Sequence, residues 1–171
     1  MIAQMPRSPN WARESGAQVF LALTLVYFAA VPVGVFAAEA LRPFASFNAR
    51  VELDIEDGEV EVWASFTPAA GGKGLDLSTE MVSLQVKGGS GDYSVAFPAG
   101  SFKKDGSGGF KFQGTINKVK LDALIRPARD GVFNFEIQTD GASLKGIANP
   151  ITVSLTIGDN GGSKTVRAKI E

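Results

Sequence analysis

From Phe44 to the C terminus, apolar and polar residues alternate at period two in one short run after another. Such alternation marks strands with one buried face. Val51, Leu53 and Ile55 alternate with Glu52, Asp54 and Glu56, and Val60, Val62, Ala64 and Phe66 follow beyond Asp57-Gly58, a tight-hairpin dipeptide. Further inward sets are Val82/Leu84/Val86, Tyr93/Val95/Phe97, Phe110/Phe112, Val119/Leu121/Ala123, Phe133/Phe135/Ile137, Ile151/Val153/Leu155/Ile157 and Val166/Ala168/Ile170. About nine strands are predicted, separated by turn chemistry at 88–91, 105–109, Asn117-Lys118, Asp130-Gly131 and 159–162. Beyond a short turn near Asp76 to Glu80, no helical period is found in this region. The expected fold is all-β, an antiparallel β-sandwich, with a closed barrel as the alternative architecture. The outward positions are too charged for a membrane barrel, whose outer face must be apolar.

Two segments align without gaps: Val82 to Val95 (VSLQVKGGSGDYSV) on Val153 to Val166 (VSLTIGDNGGSKTV). Each reads as a strand, a Gly-rich turn and a return strand. The expectation is two related halves facing each other across one core.

Before this region, Val19 to Ala38 carries no charge and follows Arg7 and Arg13. A basic start, an apolar stretch and small residues at its end describe a secretory signal helix, with cleavage before Ala38 or before Leu41. Twenty apolar residues also suffice to cross a hydrocarbon layer of ~30 Å, so an uncleaved signal anchor is the alternative. The predicted organisation is a signal peptide or anchor over 1–40 and one β-sandwich domain over 41–171. In either case the folded part is expected outside the cytoplasm, periplasmic or secreted, and the membrane is touched only through the N-terminal segment if it stays.

Composition closes several function classes. The chain has no cysteine and no histidine, which removes disulfides, thiolate metal sites, cysteine nucleophiles, Ser-His-Asp triads and the usual general base near neutral pH. Export without disulfides favours a bacterial envelope. Beyond residue 40 there are 15 basic residues against 16 acidic, without the concentrated basic footprint that a nucleic-acid partner demands.

The run FPAGSFKKDGSGGFKFQGTINKVKLDALIRP, followed by ANPITVSLTIGDNGGSKTV, resembles a family of uncharacterised bacterial exported proteins. In that family a Pro-Ala-Gly-Ser-Phe segment, a Phe-x-Phe-x-Gly strand and an Asn-Pro-φ-x-Val-x-Leu-x-Ile-Gly-Asp strand recur. The resemblance covers most of Asp76 to Ile170 and implies a shared β fold and export, with no activity attached. Pro98 and Pro150 suit strand ends, and Gly100, Gly114 and Gly158 suit turns or bulges.

One constellation points to chemistry. Glu52-Leu53-Asp54-Ile55-Glu56 resembles the Glu-x-Asp-x-Glu strand of a jelly-roll family of retaining endoglucanases, whose outer glutamates serve as nucleophile and acid/base and must converge to ~5 Å. On a strand the three acids share a face, and Glu59, Glu61 and Trp63 of the next strand project onto it. Like charges directly opposite destabilise a ladder, so something must offset them. Arg167 and Lys169 of the last strand are the expected partners, and a hard cation such as Ca²⁺ is the alternative, although no calcium-spaced Asp/Asn loop is present. Lys103, Lys104, Lys111, Lys118, Lys120, Arg126 and Arg129 read as a solvated sheet face, or else as a weak patch for anionic polymers.

The function expected from these features is a non-enzymatic extracytoplasmic binding or structural module of the cell envelope, with an edge strand open to β-augmentation. The alternative is a carbohydrate-binding or carbohydrate-cleaving module using Glu52, Asp54, Glu56, Glu61 and Trp63. Its partner is an envelope protein or glycan; no catalytic or metal-ligating residue and no cofactor is assigned.

Overall fold

The computed structural model describes residues 41–71 and 74–171. The expected signal helix lies outside the described residues. Twelve strands form in chain order: β1 (Arg42–Pro43), β2 (Ser46–Asp54), β3 (Glu59–Thr67), β4 (Val82–Gly88), β5 (Gly91–Phe97), β6 (Lys103–Lys104), β7 (Phe110–Ile116), β8 (Val119–Pro127), β9 (Phe133–Asp140), β10 (Ile151–Ile157), β11 (Asn160–Val166) and β12 (Lys169–Ile170). Nine of them span seven to nine residues, and eight of these, β2 to β5 and β7 to β10, coincide with strands that alternation predicts. Among the described residues there is no helix.

The strands make a five-stranded sheet, β1-β11-β10-β4-β5, and a seven-stranded sheet, β12-β2-β3-β9-β8-β7-β6. The expected all-antiparallel pairing needs correction. β1 runs parallel to β11 and β12 parallel to β2, so both sheets are mixed. Each of these short strands sits where the chain passes from one sheet to the other, and a crossing chain is not constrained to return antiparallel as a hairpin is.

The inner faces of both sheets feed one apolar core. Val62, Phe66 and Ile137 come from the seven-stranded sheet, and Val82, Phe97, Ile151 and Leu155 from the five-stranded one. Each such side chain contributes roughly 1.5–3 kcal/mol by leaving water. Phe97 of β5 meets Phe112 of β7 edge-on at 5.1 Å, and Phe44, between β1 and β2, packs on Phe66 of β3 at 4.6 Å. The first contact joins rings of both sheets, and the second seats the crossover between them on the core.

The two aligned segments do not face each other across the core. Both lie in the five-stranded sheet, side by side, with β4 and β10 paired antiparallel and Leu84 opposite Leu155. A local two-fold at that pair maps Val82 onto Val153 and Val86 onto Ile157, the same offset as the sequence alignment. The hairpins close on different residues, at Gly89-Ser90 and at Gly158-Asp159.

Three further differences have local causes. The β2–β3 ladder ends at Asp54 opposite Glu59, so Ile55 falls in a four-residue turn and is 37% exposed instead of inward. Asp54 Oδ1 accepts the N–H groups of Glu56 and Asp57 at 3.0 and 3.1 Å and stops the strand there. The expected last strand divides into β11 and β12, leaving Ile170 exposed. Finally, β11 begins at Asn160, inside what reads as a turn. Gly162 lies so close to Phe44 and Phe47 that a Cβ would meet Phe44 at 2.8 Å, so this strand uses glycine to admit those side chains.

Candidate functional site

The register places one row of polar side chains across the outer face of the seven-stranded sheet. Lys169 of β12 pairs with Glu52 of β2, which pairs with Glu61 of β3; Glu61 pairs with Gln138 of β9, that with Asp122 of β8, and that with Gln113 of β7. A second row runs Arg50, Trp63, Glu136, Leu124, Lys111. Alternation makes this face because every second residue of each strand must turn away from the core.

Glu52, Asp54, Glu61 and Trp63 all reach this face, as the sequence suggests. Glu56 does not: it lies in the exposed turn beyond the ladder. The five-residue acidic strand is thus a three-residue one, and its third carboxylate is separated from the other two. Asp54 is committed to the turn through the two N–H groups it accepts.

Charge on this face is offset locally. Arg50 pairs with Glu52 and also lays its guanidinium over the Trp63 ring, 5.2 Å from the centroid. Arg50 carries no period-two signal of its own and was not among the residues that the sequence singled out; its i, i+2 spacing from Glu52 and its place opposite Trp63 are the signals that a register would have supplied. Lys169 does stand beside Glu52, but its ammonium is held above the ordinary lysine range first by its hydrogen bond to Glu171 and the charge of that carboxylate, with a smaller contribution from Glu52. Arg167 makes no ion pair among the described residues. Asp122 is held by Lys111 at 3.2 Å and by the Gln113 amide at 2.6 Å, and Asp140 by Lys120 at 2.8 Å. The latter contact raises the Lys120 pKa, through its hydrogen bond first and the carboxylate charge second.

Glu59, Glu61 and Glu136 have no ion-pair partner among the described residues. These groups line open furrows. The largest, of about 480 Å³, is bordered by Glu59, Gln113, Lys120, Asp122, Gln138 and Asp140. A smaller one of about 110 Å³ lies between Glu52, Glu59, Glu61 and Lys169, and another of about 320 Å³ runs along Trp63 with Asn48, Arg50 and Asn134. A fourth joins Arg126, Glu136 and Gln138.

The largest furrow has a structural origin. The β3–β9 ladder runs from Glu61 opposite Gln138 to Phe66 opposite Phe133, and beyond its Glu61 end the Val60 N–H donates to the buried Thr139 hydroxyl at 2.9 Å. A side chain thus takes the place of a ladder partner between Glu59 and Asp140. Among the described residues no cluster of three or more acidic side chains is gathered for a metal ion.

The opposite outer face, on the five-stranded sheet, is different in kind. Thr152, Ser154 and Thr156 of β10 stand opposite Lys87, Gln85 and Ser83 of β4, and Lys87 and Gln85 stand opposite Asp92 and Ser94 of β5. It is mainly hydroxyl-bearing, with one opposed Lys87–Asp92 pair, where the other carries several carboxylates. The fold and this polar sheet face define a two-sheet β protein with a broad, shallow, solvent-facing surface. No family model, curated protein or solved structure matches the chain.

Proposed function

We propose that the chain is a non-enzymatic binding module of the bacterial cell envelope, built as a β-sandwich and exported by its N-terminal segment, with the outer face of the seven-stranded sheet as its recognition surface. The observation that carries this reading is the grouping of the furrows: four of them lie on one sheet face, three sharing lining residues and the fourth beside them at Trp63, and they are lined by amides, carboxylates, basic side chains and one indole. Convergent polar groups on a concave or furrowed surface are what orient a bound partner. The partner is an envelope protein or glycan, and the resemblance of the Pro98 to Phe102 and Asn149 to Asp159 motifs to bacterial exported proteins supports the export.

A glycan is favoured by one feature: Trp63 lies in a furrow flanked by Asn48 and Asn134, an apolar ring face beside planar hydrogen-bonding groups. Aromatic rings present apolar area with little conformational entropy to lose. Cleavage of a glycan is not part of the proposal. Glu56 lies in the turn beyond the ladder, Glu52 is tied to Arg50, and the furrows are open to water, whereas the chemistry requires a positioned acid pair in a site that limits solvent.

Binding of residues 41–171 to an envelope-glycan array, repeated with Trp63→Ala, tests the ligand class. Glycan binding lost in the variant supports the carbohydrate form of the proposal; glycan binding that the variant retains places the sugar elsewhere. The export part is tested separately by N-terminal sequencing of chain recovered outside the cytoplasm, which is expected to begin at Ala38 or Leu41 if the segment is cleaved.

A further inference from the structure

The two sheets have four edge strands, and three of them, β1, β6 and β12, are two residues long. The fourth is β5, seven residues with an unbroken register against β4 from Gly91 to Phe97. Proteins blunt long edges with lysine, proline, a bulge or a covering loop. Along β5 the outward side chains are Asp92, Ser94 and Ala96, with no lysine, no proline and no bulge. The loop bearing Gly146 covers the start of the strand, where Ser90 and Gly91 donate to the Gly146 carbonyl at 3.0 and 2.9 Å. Beyond it the edge is bare among the described residues.

The hairpin specifies which backbone groups are free. A two-residue loop closes on a hydrogen-bonded pair, here Gly88 and Gly91, and hydrogen-bonded pairs then alternate along an antiparallel ladder. Tyr93, Val95 and Phe97 therefore turn their N–H and C=O groups to β4, while the Gly91 N–H is taken by the Gly146 carbonyl. Asp92, Ser94 and Ala96 turn theirs outward.

We propose that β5 pairs with β5 of a second copy of this chain, antiparallel, about a two-fold axis at Ser94. In that register Ser94 meets its own counterpart and Asp92 meets Ala96 of the partner, so all three outward-turned residues are satisfied reciprocally by about six hydrogen bonds. The two Asp92 carboxylates fall at opposite ends of the shared ladder, well separated for like charges. Shifting the axis to Asp92 would oppose the two acids, and shifting it by one residue, to Tyr93 or Val95, would leave one of the three outward-turned residues opposite Ser90 or Pro98, outside the strand. The edge is thus most fully self-complementary with the axis at Ser94. The two five-stranded sheets would become one ten-stranded sheet, with Ser94 at its centre and a continuous hydroxyl-bearing outer face. This pairing stands independently of what the seven-stranded face binds.

The absence of native cysteine makes the test direct. The full-length chain carrying Ser94→Cys is oxidised and compared with Gln85→Cys, which sits one strand further in, opposite Ser94. Opposed residues of a hydrogen-bonded pair have Cα atoms ~5.5 Å apart, within disulfide reach, whereas the two Gln85 positions are roughly three strand spacings apart. The expected result is a crosslinked dimer for Ser94→Cys at least tenfold in excess of that for Gln85→Cys, and a light-scattering mass for the unmodified chain twice that of the monomer. A monomeric mass at micromolar concentration overturns the proposal, as does a dimer in which the two variants crosslink equally. The unmodified chain's mass decides the matter if either variant fails to fold.

Discussion

Glu52 and Glu61 stand directly opposite each other on β2 and β3, at the centre of the candidate surface. Arg50 and Lys169 flank Glu52, while Glu61 has no ion-pair partner among the described residues. Opposed like charges destabilise a ladder by roughly 0.2–1 kcal/mol. Glu61→Lys is expected to raise stability by about that amount, measured by urea denaturation at low salt, with the gain shrinking as ionic strength rises. A loss of stability in this variant would show that the pair is not repulsive.

The Thr139 hydroxyl is the partner of the buried Val60 N–H. Thr139→Val keeps the shape and removes the acceptor, leaving a buried donor unsatisfied. A destabilisation of about 1–3 kcal/mol is expected, together with faster hydrogen exchange at Val60. Thr139→Ser retains the acceptor and should recover most of the loss.

Burial pushes the Tyr93 phenol up to about 12, and its hydroxyl is enclosed without a hydrogen-bond partner among the described residues. A raised folded-state pKa means that the folded chain holds the phenolic proton after the unfolded chain has released it. The associated stability is present below pH ~10 and lost as pH rises from there through about 12. Comparing the chain with Tyr93→Phe isolates this contribution: the variant is expected to be about as stable or more so at pH 7, since it removes an unpaired buried group, and to lose less stability above pH 10. Parallel pH profiles for the two proteins would contradict the assignment.

Gly58 closes the β2–β3 turn at φ +68°, and a Cβ there would lie 2.4 Å from the Ala142 carbonyl oxygen, while Gly58 itself accepts the Ala142 N–H at 2.9 Å. Gly58→Ala combines a left-handed backbone with a backbone clash, and is expected to cost more than ~1 kcal/mol. Gly131, at φ +73° with open space around it, should tolerate alanine better. Thermal melts of the two variants check the order.

Much of the fold is legible in the chain because its strands alternate cleanly. Val82, Leu84 and Val86, or Ile151, Val153, Leu155 and Ile157, announce their buried face by period alone, and all are buried. What period two cannot carry is which sheet a strand joins. The hairpins at 82–97 and 151–166 look alike whether they stack across a core or lie side by side, and only the β4–β10 register distinguishes these. Glycine hides strands as well: Asn160-Gly161-Gly162 reads as a turn because no side chain reports its face. Loop residues such as Leu77, Phe102 and Leu144 enter the core without any periodic signal.

The polar face was partly legible. Glu52, Asp54, Glu61 and Trp63 share it because two adjacent strands alternate in phase. Glu56 drops out because Asp54 caps the turn, and the furrow along β7, β8 and β9 was invisible, since Gln113, Asp122 and Gln138 come together only through cross-strand register.

The most direct test of the binding surface is sedimentation of residues 41–171 with isolated bacterial envelopes, comparing the chain with Trp63→Ala/Gln138→Ala on the seven-stranded face and with Gln85→Ala/Ser154→Ala on the opposite face. The account predicts saturable binding, weakened at least tenfold by the first pair and unchanged by the second. Absence of binding, or sensitivity to the second pair alone, would contradict it.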